Sequence, residues 1–338
     1  MPRWSKKGAL VLGVLALACG AAAPPPAAAK PRAARAPAAH RARPAIGAAT
    51  ADRVKLSWEA AAGGYGRAVA VSSRLGRVAF ANRDTVRVYD LGSGKRVGDV
   101  RRCQEIVHTG LGFVDSRLVI VCEDGVSVVS ADKLGKLPSP KTAPARVTAA
   151  AFAGKHLALG HHDGVVRILD LAGGAGAEIV VPGPPVDVKS LALSPDGNKV
   201  AVAWTQGSIW WWNVSEPEAF HKLVRHESEA DAVAFDASGS VLAEEGAKNT
   251  TTLWSFGDPP KETAHLKNGD WVKQIRFTPD GKWLARGGSD GLELAEIAGP
   301  KRVALDTRGA VEDVAFDEQS GVLAAADRDG RLTVWAVR

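Results

Sequence analysis

Apolar and polar residues alternate along this chain in short bursts, and the bursts come in pairs. LALSPDGNKVAVAW (191–204), VAFDASGSVLAEE (233–245), IRFTPDGKWLARG (275–287) and VAFDEQSGVLAAA (314–326) each read as apolar strand, tight turn, apolar strand. Alternation with a period of two, broken by Gly, Asp and Ser, predicts antiparallel hairpins. Weaker copies occupy 69–81, 111–122 and 150–160. The last apolar residue before each turn is a convenient marker: Val71, Phe113, Phe152, Leu193, Phe235, Phe277 and Phe316. The markers are 42, 39, 41, 42, 42 and 39 residues apart. Intervals this even identify an internal repeat. Each copy continues with a second turn, such as His162-Asp163-Gly164 or Ser289-Asp290-Gly291, and then a third strand. TVRVYDL (85–91), VVRILDL (165–171), SIWWWNV (208–214), TTLWSF (251–256) and RLTVWAV (331–337) are those third strands. A looser fourth strand closes each unit, and no amphipathic helical period of useful length interrupts the series.

The repeats resemble the WD40 family, whose units of about 40–45 residues each form a four-stranded propeller blade. That family ends its third strand with Trp-Asp. Here Tyr89-Asp90, Leu169-Asp170, Trp212-Asn213, Trp254-Ser255 and Trp335-Ala336 stand at that place, and no copy has Trp-Asp itself. His226 stands nine residues before Phe235, where the family carries Gly-His. The resemblance implies an all-β fold, a seven-bladed β-propeller over residues 52–338, at 41 residues per blade. The seventh copy stops right after its third strand, so its fourth strand must come from elsewhere. Val54, Leu56 and Trp58 alternate with polar residues just before copy one, and this segment is expected to close the ring and remove an open sheet edge.

Composition and charge separate the N-terminus from the rest. The formal net charge is +6, but the first fifty residues carry eight Lys or Arg and no acid, which leaves residues 51–338 at −2. A basic recognition face for nucleic acid is therefore disfavoured. Residues 1–18 read as a signal peptide: Arg3, Lys6 and Lys7, then the apolar run Gly8 to Ala18, too short to span a bilayer comfortably. Ala16-Leu17-Ala18-Cys19 is also similar to a bacterial lipoprotein signal, which implies lipidation of Cys19 and a membrane anchor, with Gly20 compatible with outer-membrane sorting. Ordinary cleavage after Ala18 or Ala29 is the alternative. Residues 19–50 form an Ala/Pro/Arg-rich tether. Twenty-six of the thirty residues from 21 to 50 are Ala, Pro, Lys or Arg, a composition that builds no core. The protein is thus expected in the cell envelope, exported and lipid-anchored.

Within the propeller framework, the loop entering strand one and the loop leaving strand two share a face. Cys103 and Cys122 occupy those places in blade two, and an exported protein meets an oxidising compartment, so a disulfide is expected. Two buried free thiols, or one of them at an oligomer contact, are the alternative. Gly287–Gly291 matches GxSxG, but that pattern makes a nucleophile only on a strand-to-helix elbow, and no helix follows. His161-His162-Asp163 and Asp327-Arg328-Asp329-Gly330 read as turns rather than metal sites. Trp210, Trp211 and Trp212 read as core packing on both strand faces. In the WD40 family the starts of first strands, and the residue before the turn Asp, line the usual partner-binding surface. By position this implies a protein-binding face of Trp271, Glu123, His162, Ser289 and Arg328. No nucleophile, acid–base pair, metal cluster or cofactor motif stands out. The expected function is a non-catalytic interaction platform. The alternatives are a lactonase- or lyase-like propeller enzyme using the central channel, and an envelope-assembly factor similar to an eight-bladed propeller lipoprotein.

Overall fold

In the computed structural model, residues 44–337 are described, apart from 173–177, 228, 247–248, 258, 268 and 318–320. Residues 1–43, with the signal segment, Cys19 and most of the tether, lie outside the described residues. The chain forms seven four-stranded antiparallel sheets. Each inner strand begins a blade: Ala68–Ser72, Ile106–Val114, Val147–Ala153, Val188–Leu193, Ala232–Phe235, Val272–Phe277 and Val311–Asp317. Three further strands run outward in chain order, as in Lys199–Trp204, Ser208–Asn213 and Phe220–Arg225 of blade four. Among the described residues no helix is long and apolar enough to cross a membrane.

The turns form where the sequence places short polar residues. Asp196 accepts a hydrogen bond from Ser194 Oγ (2.5 Å) and another from the Asn198 amide (3.0 Å), and Gly197 supplies φ of +73°. Asp280 with Thr278 and Lys282 repeats the arrangement. These Asx turns fix the hairpin between the first two strands of a blade.

The core lies between blades rather than within them. Trp283, Leu294, Leu323 and Trp335 join blades six and seven in one buried cluster. Val78, Phe80, Leu332 and Val334 join blade seven to blade one, so the ring is closed by packing as well as by pairing. Trp212 is fully buried and meets Trp204 at 5.8 Å, while Trp211, on the opposite strand face, stacks on His221 at 4.2 Å. The one place where Trp-Asp becomes a run of three Trp residues is therefore packed on both sides.

Blade seven takes its outer strand from Val54–Ala61, which pairs with Arg331–Val337. The register skips one residue between Leu56 and Trp58, a bulge that breaks the simple alternation of Val54, Leu56 and Trp58. Val54 is buried, Leu56 is exposed, and the Trp58 indole N–H donates to the Leu91 carbonyl at 2.8 Å. The packed chain begins earlier than residue 52. Ile46 is fully buried among the cluster of blades six and seven, and the Ala48 amide donates to Asp280 at 2.7 Å. Thr50 closes the turn through Oγ1, which donates to the Ala45 carbonyl. A single Ile in an Ala/Pro-rich run has no periodicity of its own, so its burial is decided by the pocket it meets.

Candidate functional site

The loops that enter the first strands and those that join strands two and three share one face, here called the upper face. On that face five of the seven inner strands open with an irregularity. Register skips fall between Val147 and Ala149, Val188 and Ser190, Val272 and Gln274, and Val311 and Asp313. The residue left out of the ladder in each case, Thr148, Lys189, Lys273 or Glu312, stands four places before the marker. Arg67 and Asp231 hold the same place in blades one and five. In blade two the irregularity grows to four residues between Ile106 and Leu111, and it carries His108 and Thr109. Thr109 adopts φ of +59°, rare for a β-branched residue, and its hydroxyl donates to the Ala150 carbonyl at 2.7 Å. The mouth of the channel is thus ringed by one residue per blade.

These residues form a continuous chain of contacts. Lys189 pairs with Glu229 (2.6 Å) and Asp231 (3.5 Å). Asp231 accepts the indole N–H of Trp271 at 2.5 Å. The Lys273 ammonium lies 5.9 Å from the Trp271 ring centre and 5.8 Å from that of Tyr65, and it pairs with Glu312. Arg328 Nε donates to Glu312 at 3.0 Å, with its guanidinium 5.8 Å from the Tyr65 ring. The Tyr65 and His108 rings meet edge to face at 6.3 Å. Trp271 and Tyr65 are nevertheless about 40% exposed, at 39% and 41%. Two aromatic side chains are held rigidly by ionic neighbours while their faces remain open to solvent.

Electrostatics follow from burial and pairing. Burial opposes ionisation of Glu312, but hydrogen bonds from Lys273, Tyr65 and Arg328 outweigh it and hold the carboxyl below its ordinary value. Burial, with the Glu312 carboxylate as acceptor, raises the Tyr65 phenol. Burial lowers His108 to about 4, helped by the positive charges of Lys273 and Arg67, so this imidazole is neutral at physiological pH. Every charged group named at the mouth has an opposite partner, Arg67 included, which bonds Glu105 at 2.6 Å. That arrangement fixes side-chain positions; a proton-transfer pair would need groups poised near neutrality.

The five residues assigned by position fall into two groups. Trp271, Ser289 and Arg328 come together in blades six and seven: the Ser289 amide and hydroxyl both donate to the Trp271 carbonyl, at 3.0 and 3.2 Å. The GxSxG pattern is therefore a strand-to-strand turn, with Gly291–Glu296 following it. Glu123 and His162 meet through Arg146 instead. Glu123 Oε1 bonds the Arg146 guanidinium at 2.7 Å, and the His162 amide donates to the Arg146 carbonyl at 3.1 Å. Glu123 and Arg146 border a depression of about 510 Å³ shared with Arg83 and Glu105, and His162 does not line it. Cys103 and Cys122 are disulfide-bonded nearby in blade two, with Cα atoms 5.5 Å apart. Position alone missed Tyr65, His108, Lys189, Lys273 and Arg67. The signal for most of them was present: counting back four from each marker reaches Arg67, Lys189 and Lys273. His108 escapes the count because of its longer bulge, and Tyr65 lies in a loop with no repeat counterpart.

His226, the one residue at the Gly-His place, has its Nε2 2.9 Å from the buried Glu244 carboxylate, which raises its pKa. Among the described residues no group of three His, Cys, Asp or Glu side chains is arranged to hold a metal ion.

Comparison with known proteins agrees with the architecture. Residues 259–292, from the outer strand of blade five into blade six, match the WD40 family, described as WD domain, G-beta repeat. The chain is 26% identical over 148 residues to the small ribosomal subunit protein RACK1y of Oryza sativa subsp. japonica, covering 41% of this chain and 43% of that one. It is 26% identical over 141 residues to guanine nucleotide-binding protein subunit beta-like protein 1 of Mus musculus, covering 40% and 43%. It is 48% identical over 64 residues to the periodic tryptophan protein 2 homolog of Schizosaccharomyces pombe, covering 19% and 7%. The chain spans less than half the length of each of these relatives. Fold, repeat length and the matching segment together describe a seven-bladed β-propeller with a WD40-type repeat across its fifth and sixth blades.

Proposed function

We propose that this protein is a non-catalytic interaction platform whose upper face binds a protein partner, and that its N-terminal segment exports it and anchors it to a membrane of the cell envelope through Cys19. The observation that carries the binding face is the Tyr65–Lys273–Trp271 arrangement beside Arg328. Trp, Tyr and Arg dominate interface energetics, and pre-positioned side chains lose little freedom on binding. A rigid ring that displays loops on one face is well suited to this use. Export and anchoring rest on the sequence of residues 1–19 alone.

The test is site-specific photo-cross-linking in envelope fractions, with the cross-linker at Tyr65 or at Val97 on the outer edge of blade one. A defined protein adduct from position 65, absent from position 97 and lost in Trp271→Ala, is the expected result. Equal adducts from both positions, or none from either, would overturn the assignment of the face. Metabolic labelling with a fatty acid, compared between wild type and Cys19→Ser, tests the anchor separately.

A further inference from the structure

The lower end of the channel follows a packing rule that is broken once. The residue just before each marker is Ala or Gly at 70, 112, 151, 192, 234 and 315, because the marker of the next blade packs over it. A Cβ on Gly112, for instance, would lie 2.5 Å from Phe152 Cδ1. At the remaining junction, ahead of Phe316, the position holds Arg276. A long cation at a place that elsewhere takes only Ala or Gly violates the local pattern, and such violations concentrate at functional sites.

Arg276 lines a cavity of about 570 Å³ whose walls include the marker rings Phe113, Phe152, Phe235 and Phe316. Its Nη1 donates to the Ile275 carbonyl (2.8 Å) and to Gln274 Oε1 (3.1 Å). Its Nη2 forms an ion pair with Asp313 Oδ1 at 3.6 Å, longer than a direct hydrogen bond. Asp313 also lines the cavity and is 2% exposed. Its Oδ2 accepts the Val69 amide at 2.9 Å, but Oδ1 accepts no hydrogen bond among the described residues. The buried carboxylate is thus ion-paired but leaves Oδ1 without the hydrogen bond that would offset its burial.

We propose that this cavity is a ligand site, and that it takes a carboxamide carried on an apolar body. A guanidinium only donates and an ionised carboxylate only accepts. A planar amide offers its carbonyl to Arg276 and its N–H to Asp313 through adjacent atoms, while its apolar substituent lies among the phenylalanines. A carboxylate in that place is repelled by Asp313, and an ammonium by Arg276. The Arg276–Asp313 pair lies just below the Lys273–Glu312 mouth in a cavity that extends to the lower loops, and the proposal does not rest on the partner-binding reading.

The probes are benzamide, benzoate and benzylamine, titrated against the protein by ligand-observed NMR. Benzamide is expected to bind saturably in the low millimolar range, with the two charged analogues at least tenfold weaker. Arg276→Ala restores the residue type of the other blades and should keep the fold, checked by circular dichroism, while weakening benzamide at least tenfold. Asp313→Asn removes the repulsion and should admit benzoate. No saturable benzamide binding up to about 10 mM, where a compact fragment of ordinary efficiency is detected, overturns the proposal. Equal benzamide affinity in wild type and Arg276→Ala overturns it as well.

Discussion

At the scale of single residues, two titratable groups, the buried Asp313 and the half-buried His108, oppose one another. His108 is held down to about 4, chiefly by burial and then by Lys273 and Arg67, against about 6.5 in an unfolded chain. Between those values the unfolded state binds a proton that the folded state refuses, so this group makes stability rise with pH. Asp313 is pushed up to about 6 by burial, against about 3.9 unfolded. Between those values the folded state keeps a proton that the unfolded state releases, so this group makes stability fall as pH rises. The two windows overlap between about pH 4 and 6, and the slopes offset there. His108→Gln should therefore give a thermal midpoint that rises less steeply with pH than that of wild type across that window. Asp313→Asn keeps an acceptor for the Val69 amide and should give a midpoint that rises more steeply than wild type. Superimposable pH profiles for all three proteins would disprove the opposition. Neither group declares itself in sequence. Asp313 sits at a position filled by Ala68, Ala149 and Ala232 in other blades, and only the closed ring shows that its carboxylate is walled off from water.

At the scale of elements, the N-terminal segment does two separable jobs. Val54–Ala61 supplies the outer strand of blade seven, and the turn before it seats Ile46 between blades six and seven. Chains starting at residue 44, 52 and 62 separate these contributions. The chain starting at 44 should melt cooperatively. The chain starting at 52 loses the burial of Ile46, at a cost of about 2–4 kcal/mol by analogy with large-to-small core substitutions, and should melt cooperatively at lower temperature. The chain starting at 62 leaves Arg331–Val337 as an unpaired edge and should aggregate or lose its cooperative transition. Denaturant melts of the three proteins measure this directly, and equal stability of the last two would refute closure by this strand. The strand was legible in advance from Val54, Leu56 and Trp58, whereas the bulge that turns Leu56 outward was not. Register depends on the partner strand, here on Leu56 opposite Trp335 and Trp58 opposite Val334.

At the scale of the whole molecule, the two ends of the channel are chemically unlike. The upper mouth is ringed by paired charges with two exposed aromatics, and the lower end is walled by phenylalanines around Arg276 and Asp313. The docked turn at Ala48 bonds Asp280, which belongs to the lower loops, so the chain joins the ring on the side away from Trp271. Because Trp271 lies outside the buried clusters, Trp271→Ala should keep the fold and lower the unfolding free energy only by about 1–2 kcal/mol, through the lost hydrogen bond to Asp231 and the lost contact with Lys273. A much larger loss in a denaturant melt would make Trp271 a packing residue and remove it from the binding face. The sequence by itself determined the repeat, its number, the hairpin turns and the closing strand, since each depends on local alternation and even spacing. It also carried the small residues beneath the markers and the ring of positions four places before them. Only the tertiary structure decided what those positions share: that Lys273 stands between Trp271 and Tyr65, that Glu312 gathers Lys273 and Arg328, and that Arg276 faces Asp313. Lys273 with Tyr65, Lys273 with Glu312, and Arg276 with Asp313 join residues from different blades or loops, and those distances are set by ring closure rather than by any pattern along the chain.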